Sequence, residues 1–186
     1  MLLCFHKCAC AHTNSSGAAA EGDLEGIPAV AFSGISNAKV SFTTLKSDPT
    51  TPATLAAVVY AKVTTKVVQT LFAGAASGQR LVPMGTIISI NYPALNFSSG
   101  SQCSEPKDIK WVFSRQFKAG PLDHDIDICN NGGKLPDEGT VTQDGGCFAS
   151  VVVLDSLTKL QAGTDAQQEV YNSLSALGFT CLTDPQ

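Results

Sequence analysis

The stretch that decides the fold is Leu55-Ala56-Ala57-Val58-Val59-Tyr60-Ala61-Lys62-Val63-Thr64-Thr65-Lys66-Val67-Val68-Gln69-Thr70-Leu71-Phe72. Leu55, Val59, Val63, Val67 and Leu71 recur every four residues, the spacing of one helix face. Thr51 and Pro52 just upstream supply a cap and a first-turn proline. Against this, nine of the thirteen residues from Val58 to Thr70 are Val, Thr or Tyr, whose restricted first torsions suit a pleated surface. Tyr60, Lys62, Thr64 and Lys66 also alternate with Ala61, Val63, Thr65 and Val67. Propensity and alternation together set strands as the expectation, with a helix as the alternative.

Outward from this stretch the dominant signal is β. Ala29-Val30-Ala31-Phe32 is a short apolar run, and Lys39 to Leu45 alternates apolar with polar. Thr86 to Ile90, Lys110 to Ser114 and Cys147 to Leu154 read as strands. Asp125-Ile126-Asp127-Ile128 alternates and runs into the turn signal Asn130-Asn131-Gly132-Gly133. The end is helical: Thr164-Asp165-Ala166-Gln167 fits a capping box, Val170, Leu174 and Leu177 form a stripe, and Gly178 supplies a left-handed stop. The expected fold is mainly β, an antiparallel β-sandwich or partial barrel with a C-terminal helix, stapled by disulfides. Thr13 to Gly26 holds one large apolar residue, Leu24, so residues 1–26 are expected to be a disordered or misread N-terminal segment, with 27–186 a single domain.

Composition narrows the class. The 186 residues are 44% hydrophobic and 15% charged, with a net charge of -4. Apolar content of this order excludes a wholly disordered chain, and the negative charge argues against a nucleic-acid binder held by phosphate contacts. No fully apolar run approaches the roughly 20 residues of a membrane helix, so no membrane span is expected. The charge is uneven: residues 1–122 carry ten Lys or Arg against six Asp or Glu, and residues 123–186 carry two against ten. Cys103, Cys129, Cys147 and Cys181 are well separated, with no C-x-x-C pair, and allow two disulfides in any of three pairings. The sequons at Asn14 and Asn96 permit N-glycosylation. Together these features place the chain in an oxidising, extracellular setting. Met1 to Phe5 is too short for the apolar core of a signal peptide, which suggests a misassigned start or a fragment.

Four constellations carry chemistry. Asp123, Asp125 and Asp127 project to one side if extended, so they can serve as general acid and base for glycoside cleavage or as oxygen ligands for a calcium ion. Glu138, in the Gly-rich loops between Cys129 and Cys147, joins them as a candidate catalytic carboxylate. These carboxylates make a glycoside hydrolase using an acidic pair from 123–144 the catalytic alternative; over a handful of residues Asp125 to Cys129 also resembles the acidic stretch of fungal chitosanases. Cys4, His6, Cys8, Cys10 and His12 alternate along the first twelve residues and can ligate a soft metal. Gly34-Ile35-Ser36-Asn37-Ala38 has the outline of a nucleophile elbow, but its setting reads as a tight turn between strands. Trp111, the sole tryptophan, and Tyr92 are candidate platforms for a sugar ring.

The leading expectation is therefore a secreted, non-catalytic module that binds a polysaccharide or an extracellular protein and needs no cofactor. A small glycoside hydrolase and an N-terminal metal binder are the alternatives. If the setting is oxidising, the four cysteines of the second half will not react with a thiol reagent under native conditions until a reductant is added; four reactive thiols in the native chain would exclude it.

Overall fold

The structure, a computed structural model, describes residues 2–7, 14–35, 40–75 and 80–182, with backbone only at 2–7 and 14. Five strands form one sheet: β1 (Leu2–Lys7), β2 (Ala29–Gly34), β3 (Thr86–Tyr92), β4 (Lys110–Ser114) and β5 (Phe148–Asp155). Their order is β1-β2-β3-β5-β4. β1 with β2, β2 with β3 and β4 with β5 run parallel, and β3 with β5 runs antiparallel. The architecture is α/β, not an antiparallel β-sandwich or barrel. Parallel neighbours need long crossovers, and helices supply them: α1 (Asn14–Leu24) between β1 and β2, α2 (Thr44–Ser47) and α3 (Pro52–Gly74) between β2 and β3, and α4 (Glu138–Gln143) between β4 and β5, with α5 (Thr164–Ser173) following β5.

The 55–72 stretch is the interior of α3. Thr51 caps it, its hydroxyl accepting from the Thr54 N–H at 3.4 Å, and Pro52 opens the first turn. Val59, Val63, Val67 and Leu71 are buried against the sheet with Val30, Phe32, Ile88 and Ile90. The stripe at spacing four thus outweighs the strand propensity of the β-branched residues, because burying it on a sheet face contributes about 25 cal/mol per Å² of apolar surface. At 23 residues and a mean hydropathy of 1.2 in its most apolar window, α3 is long and apolar enough to cross a bilayer. Here its apolar face is occupied by the sheet.

Each sheet face carries its own core. On the face of α3 and α5 lie Phe32, Ile88, Ile90, Tyr92, Trp111, Phe113 and Val151, joined by Val170 and Leu174. On the opposite face Ala19 and Ala20 of α1 meet Ala29, Ala31, Ile87, Val152 and Leu154. Residues 14–24 are thus helical where the sequence led to the expectation of a disordered segment. The small side chains that looked too poor to pack let a helix lie close on the sheet, and Asp23 anchors its end to Arg80 at 2.8 Å.

Two further expected strands are absent among the described residues. Val40 and Phe42 lie outside any strand and are exposed, Phe42 at 84%, ahead of the short α2. Asp125 to Ile128 is loop, because Asp125 turns inward to Arg115 rather than alternating on a sheet face. The C-terminal helix is present, but Gly163 is its N-cap and Gln167 reaches elsewhere, donating to the Ala162 carbonyl at 2.7 Å and to Asp125 at 3.1 Å. Gly178 adopts φ 74°, the left-handed stop.

Because Leu71 is fully buried where α3 meets the core, Leu71→Ala is expected to lower unfolding stability by about 2–5 kcal/mol, read from the urea midpoint at unchanged slope.

Candidate functional site

In open sheets with parallel strands, ligands bind outside the carboxyl ends of the strands. A cleft of about 1050 Å³ lies at that edge, beyond β2 and β3. Ile35 and Pro93 contribute from those two strand ends, Lys107 and Lys110 from the approach to β4, and Thr142 from α4. The bridge between Cys103 and Cys147 forms part of its wall.

Tyr60 of α3 holds this edge together. Its hydroxyl donates to the Pro93 carbonyl at 2.8 Å and reaches the Ile35 carbonyl at 3.1 Å, tying the two strand ends to each other. Burial pushes the Tyr60 phenol up to about 12, against a lowering backbone hydrogen bond, so it remains a donor through the physiological range. Gly34 is required beneath it, since a Cβ there would stand 2.7 Å from the Tyr60 ring. The elbow reading of 34–38 thus gives way to close ring packing at Gly34; residues 36–38 lie outside the described residues.

Charge at the cleft is mixed, with Lys107 and Lys110 lining it beside Asp108. Lys107 pairs with Glu105 at 2.9 Å, and this hydrogen bond and charge raise its pKa. The Lys110 ammonium sits 5.3 Å from the centre of the Phe148 ring. Asp108 is held below the usual carboxylate range by the N–H groups of Ser104 and Glu105, which donate to it at 3.0 and 2.8 Å.

Beside the cleft stands a half-buried carboxyl group, that of Glu138. Asp137 caps α4, accepting from the Thr140 N–H at 3.0 Å and the Thr140 hydroxyl at 2.7 Å. Burial raises the Asp137 pKa, but these hydrogen bonds outweigh it and leave it lowered. The next residue, Glu138, is turned toward the sheet, where Asn91 at the end of β3 donates to its Oε2 at 2.8 Å. Burial pushes Glu138 up to about 7, with the Asp137 charge adding to the rise and the Asn91 hydrogen bond opposing it. Asn91 faces Ser150 across the β3–β5 ladder, and the Ser150 hydroxyl is buried with no hydrogen-bond partner. One turn of α4 separates Glu138 from Thr142, whose hydroxyl donates to the Glu138 carbonyl at 2.8 Å.

The other acids expected to be catalytic have other duties. Asp125 is buried and accepts from Arg115 at 3.2 Å, the Leu135 N–H at 3.0 Å and Gln167 at 3.1 Å. Asp123 accepts from the Gly120 N–H and from Arg115, both at 2.8 Å, and these contacts lower its pKa. These two form a clasp that fixes the 116–137 loop, and Asp127 is exposed apart from them. No three His, Cys, Asp or Glu side chains gather to hold a metal among the described residues. The structure therefore assembles no calcium site from 123–127. Cys4 and His6 fall in β1, where only backbone is described, and Cys8, Cys10 and His12 lie outside the described residues. Trp111 and Tyr92 are 3% and 1% exposed and pack edge to face at 6.1 Å, so neither is a platform for a sugar. The Tyr92 hydroxyl meets Thr64 at 2.9 Å, and burial raises its pKa. Cysteines 129 and 181 form the second bridge.

Sequence reasoning missed Asn91, Tyr60 and the lysine wall. Asn91 alone had a usable signal: a polar residue ending an apolar strand, at the edge where ligands bind.

The α/β fold agrees with the comparisons. Residues 9–118, more than half of the chain, match the family described as Survival protein SurE, and the chain belongs to that family. It is also similar to a protein named "Acid phosphatase" from Yarrowia lipolytica, at 29% identity over 162 residues, covering 77% of this chain and 44% of that protein. The chain thus spans less than half the length of this relative. The comparisons overturn both functional expectations, the non-catalytic polysaccharide or protein binder and the glycoside hydrolase, since neither the matched family nor the relative is of those kinds.

Glu138 carries a stability signature. Its raised pKa favours the neutral form in the folded chain, so this contribution is full below about pH 4.5 and is lost as pH rises toward 7. Glu138→Gln is expected to equal the parent in unfolding free energy from urea titration near pH 4 and to exceed it by about 2–3 kcal/mol at pH 8; equal free energies at both pH values would sink the assignment.

Proposed function

We propose that this chain contributes the substrate cleft of a phosphomonoesterase acting at acid pH. The observation that carries the reading is the similarity to an acid phosphatase along 77% of the chain. The cleft at the carboxyl edge of β2 and β3 supports it. Lys107 and Lys110 line one wall, and two ammonium groups offset the charge that spreads over phosphoryl oxygens as the ester bond breaks.

In the reaction a phosphomonoester and water become an alcohol and inorganic phosphate. The P–O bond to water forms as the bond to the ester oxygen breaks, and one proton passes from the water to the alcohol. Glu138, neutral below about pH 7, keeps an acidic proton one helical turn from the cleft residue Thr142. Divalent metals commonly activate water and clamp phosphoryl groups in this class of reaction. Among the described residues no three His, Cys, Asp or Glu side chains gather, and no step here passes through a metal.

The test is release of p-nitrophenol from p-nitrophenyl phosphate by the purified chain between pH 4 and 8. Turnover is expected to fall as pH rises through 7, and the double variant Lys107→Ala/Lys110→Ala is expected to lose about tenfold or more in kcat/KM, the equivalent of one charged contact. Hydrolysis at the buffer rate across the whole range would overturn the proposal.

A further inference from the structure

We infer that Asn96 is an N-glycosylation site and that its glycan stands on the rim of the cleft, screening the lysine wall from bulky molecules. The inference rests on the geometry of the cleft and is independent of the phosphatase reading.

Asn96-Phe97-Ser98 satisfies the acceptor sequon. Asn96 is exposed in the loop after β3 and lines the cleft. Its backbone N–H donates to the Cys103 carbonyl at 2.8 Å, which fixes the loop against a bridged cysteine. Its side-chain Oδ1 accepts from the Ser98 N–H at 2.9 Å, forming an Asx turn. This turn uses the carbonyl side of the amide and leaves Nδ2 without a hydrogen bond among the described residues. Ser98, the hydroxyl residue of the sequon, is exposed as well.

The two bridges add an independent argument. Disulfides and N-glycans are installed in the same oxidising secretory compartment. Here both are written into one segment, since the loop bearing Asn96 ends at Cys103. The other sequon differs. Asn14 opens α1, and the hydroxyl residue of its sequon, Ser16, is half-buried in the first helical turn, next to the buried Ser15. An acceptor held in a helix on the sheet is a poor substrate once folded, so the structure assigns Asn96 and not Asn14.

The modification step balances with an oligosaccharyl diphospholipid as co-substrate. The Asn96 amide nitrogen bonds to C1 of the first sugar, the C1–O bond to the diphosphate breaks, the diphospholipid leaves as the anion, and the amide proton passes to a base. The glycan then projects from the mouth shared with Lys107 and Lys110.

The test expresses the full chain in a eukaryotic secretory host and maps occupancy by mass spectrometry after peptide-N-glycosidase digestion in heavy-oxygen water. Conversion to Asp at 96 is expected, with the gel shift lost in Asn96→Gln and retained in Asn14→Gln. An unmodified Asn96, or a glycan at Asn14 alone, overturns the assignment. Screening is read separately with a bulky amine-reactive reagent. Labelling of Lys107 and Lys110 is expected to rise at least threefold in Asn96→Gln, while Lys62 and Lys66 on α3, far from the rim in sequence and exposed, stay constant. Equal labelling of all four lysines in both proteins overturns the rim placement.

Discussion

Every residue of β3, Thr86 to Tyr92, is buried, and so is the body of β5 beside it. A strand buried on both faces cannot turn one side to water, so helices must cover the sheet above and below. That requirement places α3 and α5 on one face and α1 and α4 on the other. It also explains the strand order. β3 and β5 at the centre are the most apolar, and β4 at one edge is shielded by the C-terminal segment, where the Thr180 N–H donates to the Trp111 carbonyl at 2.8 Å. The edge where the covering helices part from the strand ends is where the cleft opens.

Much of this was legible, but not the layer that organises it. Ala29 to Phe32, Thr86 to Ile90, Lys110 to Ser114 and Cys147 to Leu154 announce themselves as strands by unbroken apolar or β-branched runs. The same lack of alternation is the mark of strands buried on both faces, and it spoke against a sandwich, whose strands alternate. The 55–72 stretch misled because its local preference and its tertiary role disagree. Val and Thr favour a pleated surface in isolation, yet a stripe at spacing four finds a whole sheet face to bury itself on. Residues 14–24 misled for the opposite reason: alanines bury little area each, but they permit close approach.

The site was legible only in part for a related reason. Carboxylates were visible in the sequence, but their environments were not. Asp123 and Asp125, two apart and conspicuous, are neutralised by one guanidinium, Arg115, whose side chain is 6% exposed. Glu138, set in an unremarkable Gly-rich loop, is the acid whose surroundings disfavour its charge. No local pattern distinguishes these fates, because each depends on a partner brought from far along the chain: Arg115 and Gln167 for Asp125, Asn91 for Glu138. Aromatic residues obey the same logic. Trp111 and Tyr92 are rare and large, so the two-sided core claims them.

The two bridges have a consequence for how the molecule comes apart. Cys103–Cys147 and Cys129–Cys181 interleave, each closing a loop that contains one cysteine of the other. Residues 103–181 therefore form a cross-linked block whose unfolded ensemble stays compact, by roughly 4 kcal/mol per bridge in the chain-entropy account. The β2–α3–β3 unit has no cross-link among its described residues and relies on burial alone. Once unfolded, the bridged block stays compact while that unit is free to expand. The cleft straddles the boundary between the two, with Ile35 and Pro93 on one side and Lys107, Lys110 and Cys147 on the other. Its shape is thus set where a part of the chain stiffened by covalent links meets a part that is not.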